Sequence, residues 1–512
     1  MSSRTTFRLT AVLLSIATSL LLSCRQADSR TRVTLWHQMM VGERAVLEEF
    51  VERFESDNPD VQVHTLYKET EELRSGFQAA ALAGSGPELI FGPSDTLGAY
   101  ATMGIVQDMQ AWFDESEQQQ LLDKALTWMP PDSGVSRALV QVGDRIGNHL
   151  ALVYNRELIK TPPRTTDEMI SMALAATLDE DRDGRTDQYG LVWNFVEPFF
   201  LIPFLTGHGG WVFDPDHPLQ PALDTEACIN ALDFVAALQN EHKVLPVNCD
   251  YETADALFKS GKAAMIINGD WSWGEYLAHE GIDAAIAPLP VVSSTRLPLG
   301  PMVATKGYSL SVSARADKAD AAMRFVRYMV SADVQREFMI RLKTLPSHRS
   351  LLDDPALRDD PTLHASMRQM QNGHPMPVVA EMRAIWDAMR PPYQSLLGGD
   401  VSADQAARLM QADAESRIAV MNQQIKPGPS VFWLQLISAT LVGITLFLSR
   451  RPLSRVFQDW QKNQLAYWLI APALLVPILT IIYPFFYNIV LSFSNMSLRH
   501  FQDWQVIGLQ YY

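Results

Sequence analysis

The stretch DYETADALFKSGKAAMIINGDWSWGEY, residues 250–276, decides how the rest of the chain is read. Ala254, Leu257 and Phe258 share one face of a short helical pattern, a Gly turn follows, and Ala263 to Ile267 is a wholly apolar run of strand length. The run breaks at Asn268-Gly269, so Trp271 and Trp273 fall just past the end of a buried strand. In open α/β sheets ligands bind in the crevice beyond the strand ends, which makes both indoles candidate binding faces. Core packing is the competing reading for any tryptophan, and here the strand already supplies a core.

Upstream, the same alternation repeats. The strand pattern VTLWHQ precedes a helical pattern from Glu43 to Asn58, and VQVHTLY precedes another from Glu71 to Leu82, closed by Gly84-Ser85-Gly86-Pro87. ELIFG is a third strand, with Asp95 just beyond it as a helix cap or a ligand acceptor. Strands alternating with helices of this length predict a largely parallel sheet covered on both faces. GDRIGNHLALVYN, residues 143–155, reads as two strands carrying the backbone from a first lobe into a second, and TKGYSLSV as the return.

The chain has 512 residues, 47% of them hydrophobic, and a formal charge of -16. That length accommodates several domains, and that charge, with no basic patch, excludes general nucleic-acid binding. Glu197-Pro198-Phe199-Phe200 joins a carboxylate to aromatic faces at a break in structure, the combination a sugar requires: rings for C–H patches and acceptors for hydroxyls. Trp386 and Arg390 lie four residues apart on one helical face, either a saccharide shelf or an ordinary packing pair. Asp179, Asp181, Asp183, Gly184 and Asp187 occupy positions 1, 3, 5, 6 and 9 of a calcium loop whose twelfth position is Gly190, so the bidentate Glu is missing. A weak structural calcium site and a solvated acidic turn both fit that loop; no other cofactor is expected.

The two ends of the chain point to a membrane. Arg4 and Arg8 precede an apolar run from Leu9 to Leu22 that ends in Leu21-Leu22-Ser23-Cys24, which resembles a lipoprotein signal and implies lipidation of Cys24. Cys228 and Cys249 would then lie in an oxidising compartment where they could pair. Residues 431–448 are apolar, uncharged and of spanning length, and Arg450, Arg451, Arg455 and Lys462 separate them from a second apolar run, 465–493. The positive-inside rule puts the basic loop, 449–464, in the cytoplasm and the large domain outside.

From about Val33 to Ile425 the chain resembles the periplasmic maltose/maltodextrin-binding proteins of ABC sugar importers. The resemblance is carried by AALAGSGPELIFGPSDTLGAY, FVEPFFLIPFLTGHGG, DYETADALFKSGKAAMIINGDWSW and HPMPVVAEMRAIWDAMR, in that order. It implies an α/β, two-lobe periplasmic-binding-protein fold of type II, hinged, followed here by two transmembrane helices. The first lobe would comprise about 30–146 and 300–330, the second about 150–298 and 333–425. By position it implies a cleft of Asp95, Asn148, Glu197, Pro198, Phe199, Trp271, Trp273, Trp386 and Arg390. Asn148 stands where the family has Glu, Gly92 and Thr96 where it has Trp and Arg, and Phe199 and Asp387 where it has tyrosines, while His37, Gln38 and Tyr67 are available to remake contacts. The second apolar run resembles the opening of a MalF-type permease. Together these imply an oligosaccharide ligand, permease and ATPase partners, and an inner-membrane location with the binding domain outside. A glycosidase using Glu197 and Asp95, and a membrane-bound sugar sensor, are the rival classes.

Overall fold

The computed structural model describes residues 30–129, 137–423, 428, 430–497, 499–501 and 504–510; the signal segment and Cys24 lie outside the described residues. Strands β1 (Thr31–His37), β2 (Val61–Tyr67) and β3 (Leu89–Pro93) form the parallel part of a first sheet, with β1 between the other two. β4 (Leu126–Trp128) and β5 (Leu139–Gly147) belong to the same sheet, whereas β6 (Leu150–Asn155) begins a second. That second sheet has the order β7 (Tyr189–Val192), β8 (Ala263–Gly269), β6, β9 (Ala284–Ala287). β10 (Met302–Leu310) returns to the first sheet between β3 and β5, antiparallel to both. β11 (Leu345–Pro346) and β12 (His374–Pro375) complete the ladder.

The two lobes of the sequence reading are therefore present, with the crossing at Gly147–His149 where GDRIGNHLALVYN placed it. The first sheet is mixed rather than largely parallel, because chains that leave a lobe and return enter its sheet antiparallel. The outer lobe boundary also moves. The helix Ala332–Leu342 buries Val334 and Phe338 in the first-lobe core with Phe50 and Phe325, and β11 pairs with β5. The chain crosses for the third time through the helix Pro361–Gln371, which packs on both β9 and β11.

Each lobe has its own apolar core. In the second, β8 is buried along its whole length, and the helices Glu381–Leu397 and Ala403–Asn422 pack on each other and on the helix Glu226–Asn240, with Ile385, Met389 and Met410 in the same core. Cys228 and Cys249 are buried there as free thiols, and burial pushes both up to about 12. Helix Tyr251–Lys259 starts where Asp250 accepts the Thr253 N–H at 2.8 Å, satisfying one of the unpaired amides of its first turn.

Beyond the lobes, Ser430–Lys462 is a single helix of 33 residues, so the residues read as a basic loop continue the first apolar helix instead of leaving it. A break at Asn463 leads into Gln464–Pro477, a π-helical turn Ile478–Ile482, and Tyr483–Ser492. Ser430–Arg450 and Ala473–Ser492 are each long and apolar enough to cross a membrane and bury none of that surface against the protein.

Candidate functional site

A cavity of about 330 Å³ lies between the lobes, within the range of small-ligand sites. Its first-lobe wall is built by the ends of β1, β2 and β3 (Gln38, Tyr67, Asp95), together with Arg74 and Lys306. Its second-lobe wall carries Glu197, Phe199, Tyr251, Trp271 and Trp386. Both walls follow from the position of strand ends. Contacts also run directly from lobe to lobe: the Gly42 N–H donates to Glu275 Oε1 at 2.8 Å, and Arg383 pairs with Glu71 at 3.3 Å.

Phe199, Trp271 and Trp386 form an aromatic group on the second-lobe wall. Phe199 stands 6.3 Å from the Trp271 ring and 6.4 Å from Trp386, and Lys306 Nζ lies 5.0 Å over Trp271. The Trp271 ring folds back over Gly269, where a Cβ would sit 2.1 Å from the indole, so glycine is what allows the ring this position. The Trp271 indole N–H donates to Tyr251 Oη at 3.2 Å, which fixes the ring on that wall.

The polar groups are arranged around these rings. Arg74 donates to Asp95 Oδ2 at 2.9 Å and to Glu71 at 2.6 Å; burial works against its charge, but Asp95, Glu71 and Glu197 hold the guanidinium above its ordinary range. Burial raises the Glu71 carboxyl, and Arg74, Arg383 and Arg390 outweigh it, leaving that carboxyl below the usual value. Asp95 Oδ1, Arg74 Nε and Trp386 Nε1 are buried with no hydrogen-bond partner in the protein. Buried polar atoms are nearly always satisfied, and these three belong to residues that share one cavity.

Of the residues expected here, Asp95, Asn148, Glu197, Phe199, Trp271 and Trp386 line the cavity, and Pro198, Trp273 and Arg390 do not. Trp273 is fully buried against His149, its N–H donating to the Asn268 carbonyl at 3.3 Å. The reason is local: residues 270–278 are helical, and positions two apart on a helix face opposite ways. Pro198 opens the short 3-10 helix that aims Phe199. Arg390 grips both oxygens of Glu197 at 3.2 Å, fixing the carboxylate from behind. Gln38 and Tyr67 join the wall, whereas His37 is buried behind it, its imidazole driven down to about 4 by burial. Asp95 caps no helix. Arg74, Tyr251 and Lys306 escaped the sequence reading; a lysine inside the otherwise apolar return strand was the one available signal.

The acidic loop is separate from the cavity. Carboxylate oxygens of Asp179, Asp181 and Asp187 converge within 4.8 Å, without Asp183. The loop also satisfies itself: Asp179 accepts the Gly184 N–H at 3.0 Å and Asp187 the Glu180 N–H at 2.8 Å.

Below the cavity, at the crossing, Asp270 accepts the Asn148 N–H at 3.0 Å, with His149 Nδ1 at 3.6 Å. Burial pushes the Asp270 carboxyl from 3.8 up to about 6; Lys306 and Arg145 oppose that rise and Glu43 adds to it. Stability from this group is complete below pH 3.8 and is lost as pH rises through 6. Asp270→Asn is therefore expected to raise the urea midpoint more at pH 7.5 than at pH 5, and an equal change at both would contradict the shift.

Residues 49–365 match the bacterial extracellular solute-binding protein family, and the chain belongs to that family. Its members are binding proteins and not enzymes. The chain is 25% identical over 385 residues to a maltotriose-binding protein of Pyrococcus abyssi, covering 75% of this chain and 81% of the relative. It is 23% identical to a galactooligosaccharide-binding protein of Bacillus subtilis, over 73% and 86% of the two chains. Among solved structures, the maltose/maltodextrin-binding domain of Bdellovibrio bacteriovorus bound to maltotriose is similar at 41% identity with a TM-score of 0.72, covering 76% of this chain and 99% of that one.

Proposed function

We propose that the chain is the extracytoplasmic maltodextrin-binding component of a sugar ABC importer, tethered by its helical hairpin and continuous with the start of its permease. The observation that carries the ligand class is the pairing of an aromatic wall with three unsatisfied buried polar atoms, Asp95 Oδ1, Arg74 Nε and Trp386 Nε1. Apolar faces of glucosyl rings would lie on Trp386, Phe199 and Trp271, and hydroxyls would meet the orphaned groups and Glu197. The likeness to maltotriose-binding relatives supports the same class. The ligand would contact both walls, so it would favour the closed arrangement, the form that a permease and its ATPase read.

The tether rests on the two unburied apolar helices, with Arg450 and Lys462 on the part of the first that runs past its apolar stretch. With that basic segment inside, the binding domain faces the periplasm or the exterior. Lipidation at Cys24 would add a second anchor. The sensor reading would need a signalling partner in place of the transporter. Tethering raises the effective concentration of the binder at its translocator to about mM for a short link.

The test is intrinsic tryptophan fluorescence of the full chain in lipid nanodiscs free of maltoside detergents, whose headgroups would compete. Maltose, maltotriose, longer maltodextrins, galactooligosaccharides and trehalose form the panel. A saturable response confined to α-glucans is expected, and a response only to galactooligosaccharides would overturn the maltodextrin reading.

A further inference from the structure

The chain that follows the second apolar helix returns to the binding domain. Ser494 and Val506 form an antiparallel bridge, the Asn495 N–H donates to the Gln505 carbonyl at 3.0 Å, and Ile507 is fully buried. This small loop meets the start of the first apolar helix, where the Gly428 N–H donates to the Ile507 carbonyl at 3.2 Å and the Leu509 N–H to Ser430 Oγ at 3.0 Å. Both ends of the helical hairpin therefore emerge together.

From that base the loop reaches both lobes. Arg499 donates through Nη2 to Glu381 at 3.0 Å and through Nε to Asn422 Oδ1 at 2.7 Å. Glu381 has a side chain only 3% exposed and sits in the first turn of the helix that carries Trp386; Asn422 ends the next helix of the second lobe. Phe501, 8% exposed, joins a cluster of first-lobe residues that includes Leu97, Tyr100, Met103 and Ile105, with Met496 packed alongside. A buried carboxylate is costly without a cation, and Arg499 supplies one from outside the binding domain.

We propose that the described residues between Phe493 and Leu509, which are 493–497, 499–501 and 504–509, form a docking arm that clamps the binding domain to its own helical hairpin by gripping both lobes. Two consequences follow. The arm fixes which face of the domain is turned to the hairpin. It also ties lobe movement to the hairpin, because a hinge rotation that separates Leu97 from Glu381 must strain or release one of the two grips; by linkage, whatever the arm does to closure, closure does to the arm. The proposal holds whichever sugar fills the cleft.

The test uses the full chain in nanodiscs without sugar, with a photoreactive benzoylphenylalanine in place of Met496 and mass-spectrometric mapping of the crosslinks. Crosslinks to residues 97–105 or 378 are expected. Arg499→Glu should lower their yield several-fold, and combining it with Glu381→Arg should recover them, since the swap restores an opposite-charge pair. Absence of crosslinks to the binding domain, an unchanged yield in Arg499→Glu, or a loss that the swap fails to recover would overturn the arm. None of these outcomes depends on sugar binding, so failure of the maltodextrin reading would be seen separately in the fluorescence panel.

Discussion

Trp386→Ala is expected to lower the affinity for maltotriose by about 100-fold or more, the scale of a buried aromatic anchor at the centre of a site. Three losses combine in this variant. The indole face is removed from the wall, Phe199 loses a ring 6.4 Å away, and the unpartnered N–H disappears. Trp386→Phe separates them in part, because it keeps an aromatic face, though a smaller one, and removes the donor; a drop of about tenfold is expected, the worth of one hydrogen bond in a buried site. Trp386 is only 5% exposed, so the alanine variant also leaves a cavity in the second-lobe core, with a stability cost of about 3–5 kcal/mol. Calorimetric titration of both variants checks the order, and equal losses in the two would show that a phenyl face at this position contributes nothing to binding.

The second large effect is on stability and lies beneath the first-lobe wall. Arg145 is 2% exposed and donates to both oxygens of Asp144, at 2.8 and 3.0 Å, and to Glu43 at 2.7 Å. Its guanidinium also lies 4.3 Å over the Phe338 ring, which comes from the helix Ala332–Leu342. Arg145→Met preserves much of the volume but takes the guanidinium from two buried carboxylates: Asp144 keeps the Tyr308 hydroxyl at 3.3 Å, and Glu43 keeps the Met40 N–H at 2.9 Å and Lys306 at 3.8 Å. Breaking a buried pair by removing one partner costs about 3–5 kcal/mol, far more than the pair itself contributes. Urea denaturation of the variant should show that loss, and a change below about 1 kcal/mol would mean that water reaches the carboxylates. Lys306 links this cluster to the cavity, since the same ammonium lies over Trp271.

What the sequence revealed follows the reach of its signals. Periodicity located β1, β2, β3 and β8, and the crossing at Gly147–His149 was visible because two strand patterns meet with no helix between them. The direction of the returning strands was not visible, because antiparallel entry into a sheet is decided by the path between lobes and leaves no local mark. The third crossing is read too early in the chain, at about 330–333, for a related reason: helix Ala332–Leu342 has the same amphipathic pattern whichever lobe it covers. One argument, that both follow a strand end, offers Trp271 and Trp273 alike as binding faces, whereas the structure puts Trp271 on the cavity wall and Trp273 in the core. That argument lacked the helical turn, which sends residues two apart to opposite sides. Arg390 is offered by the sequence as half of a saccharide shelf or of a packing pair, and the structure pairs it with Glu197. Arg74 lies within an amphipathic helix whose polar residues are otherwise ordinary, and only tertiary packing shows that its head is buried between Glu71 and Asp95.

The arm adds a constraint that no reading of the binding domain alone could supply, because Glu381 and Arg499 are separated by the whole helical hairpin. Its grip on Glu381, at the start of the helix that carries Trp386, places it a few residues from the cavity wall.

The most direct measurement is the structure of the full chain with maltotriose bound. The account predicts a glucosyl ring lying on Trp386 and sugar hydroxyls within hydrogen-bond distance of Asp95 Oδ1 and Trp386 Nε1. A saccharide bound elsewhere, or one in the cavity that leaves both of those atoms unpartnered, would contradict it.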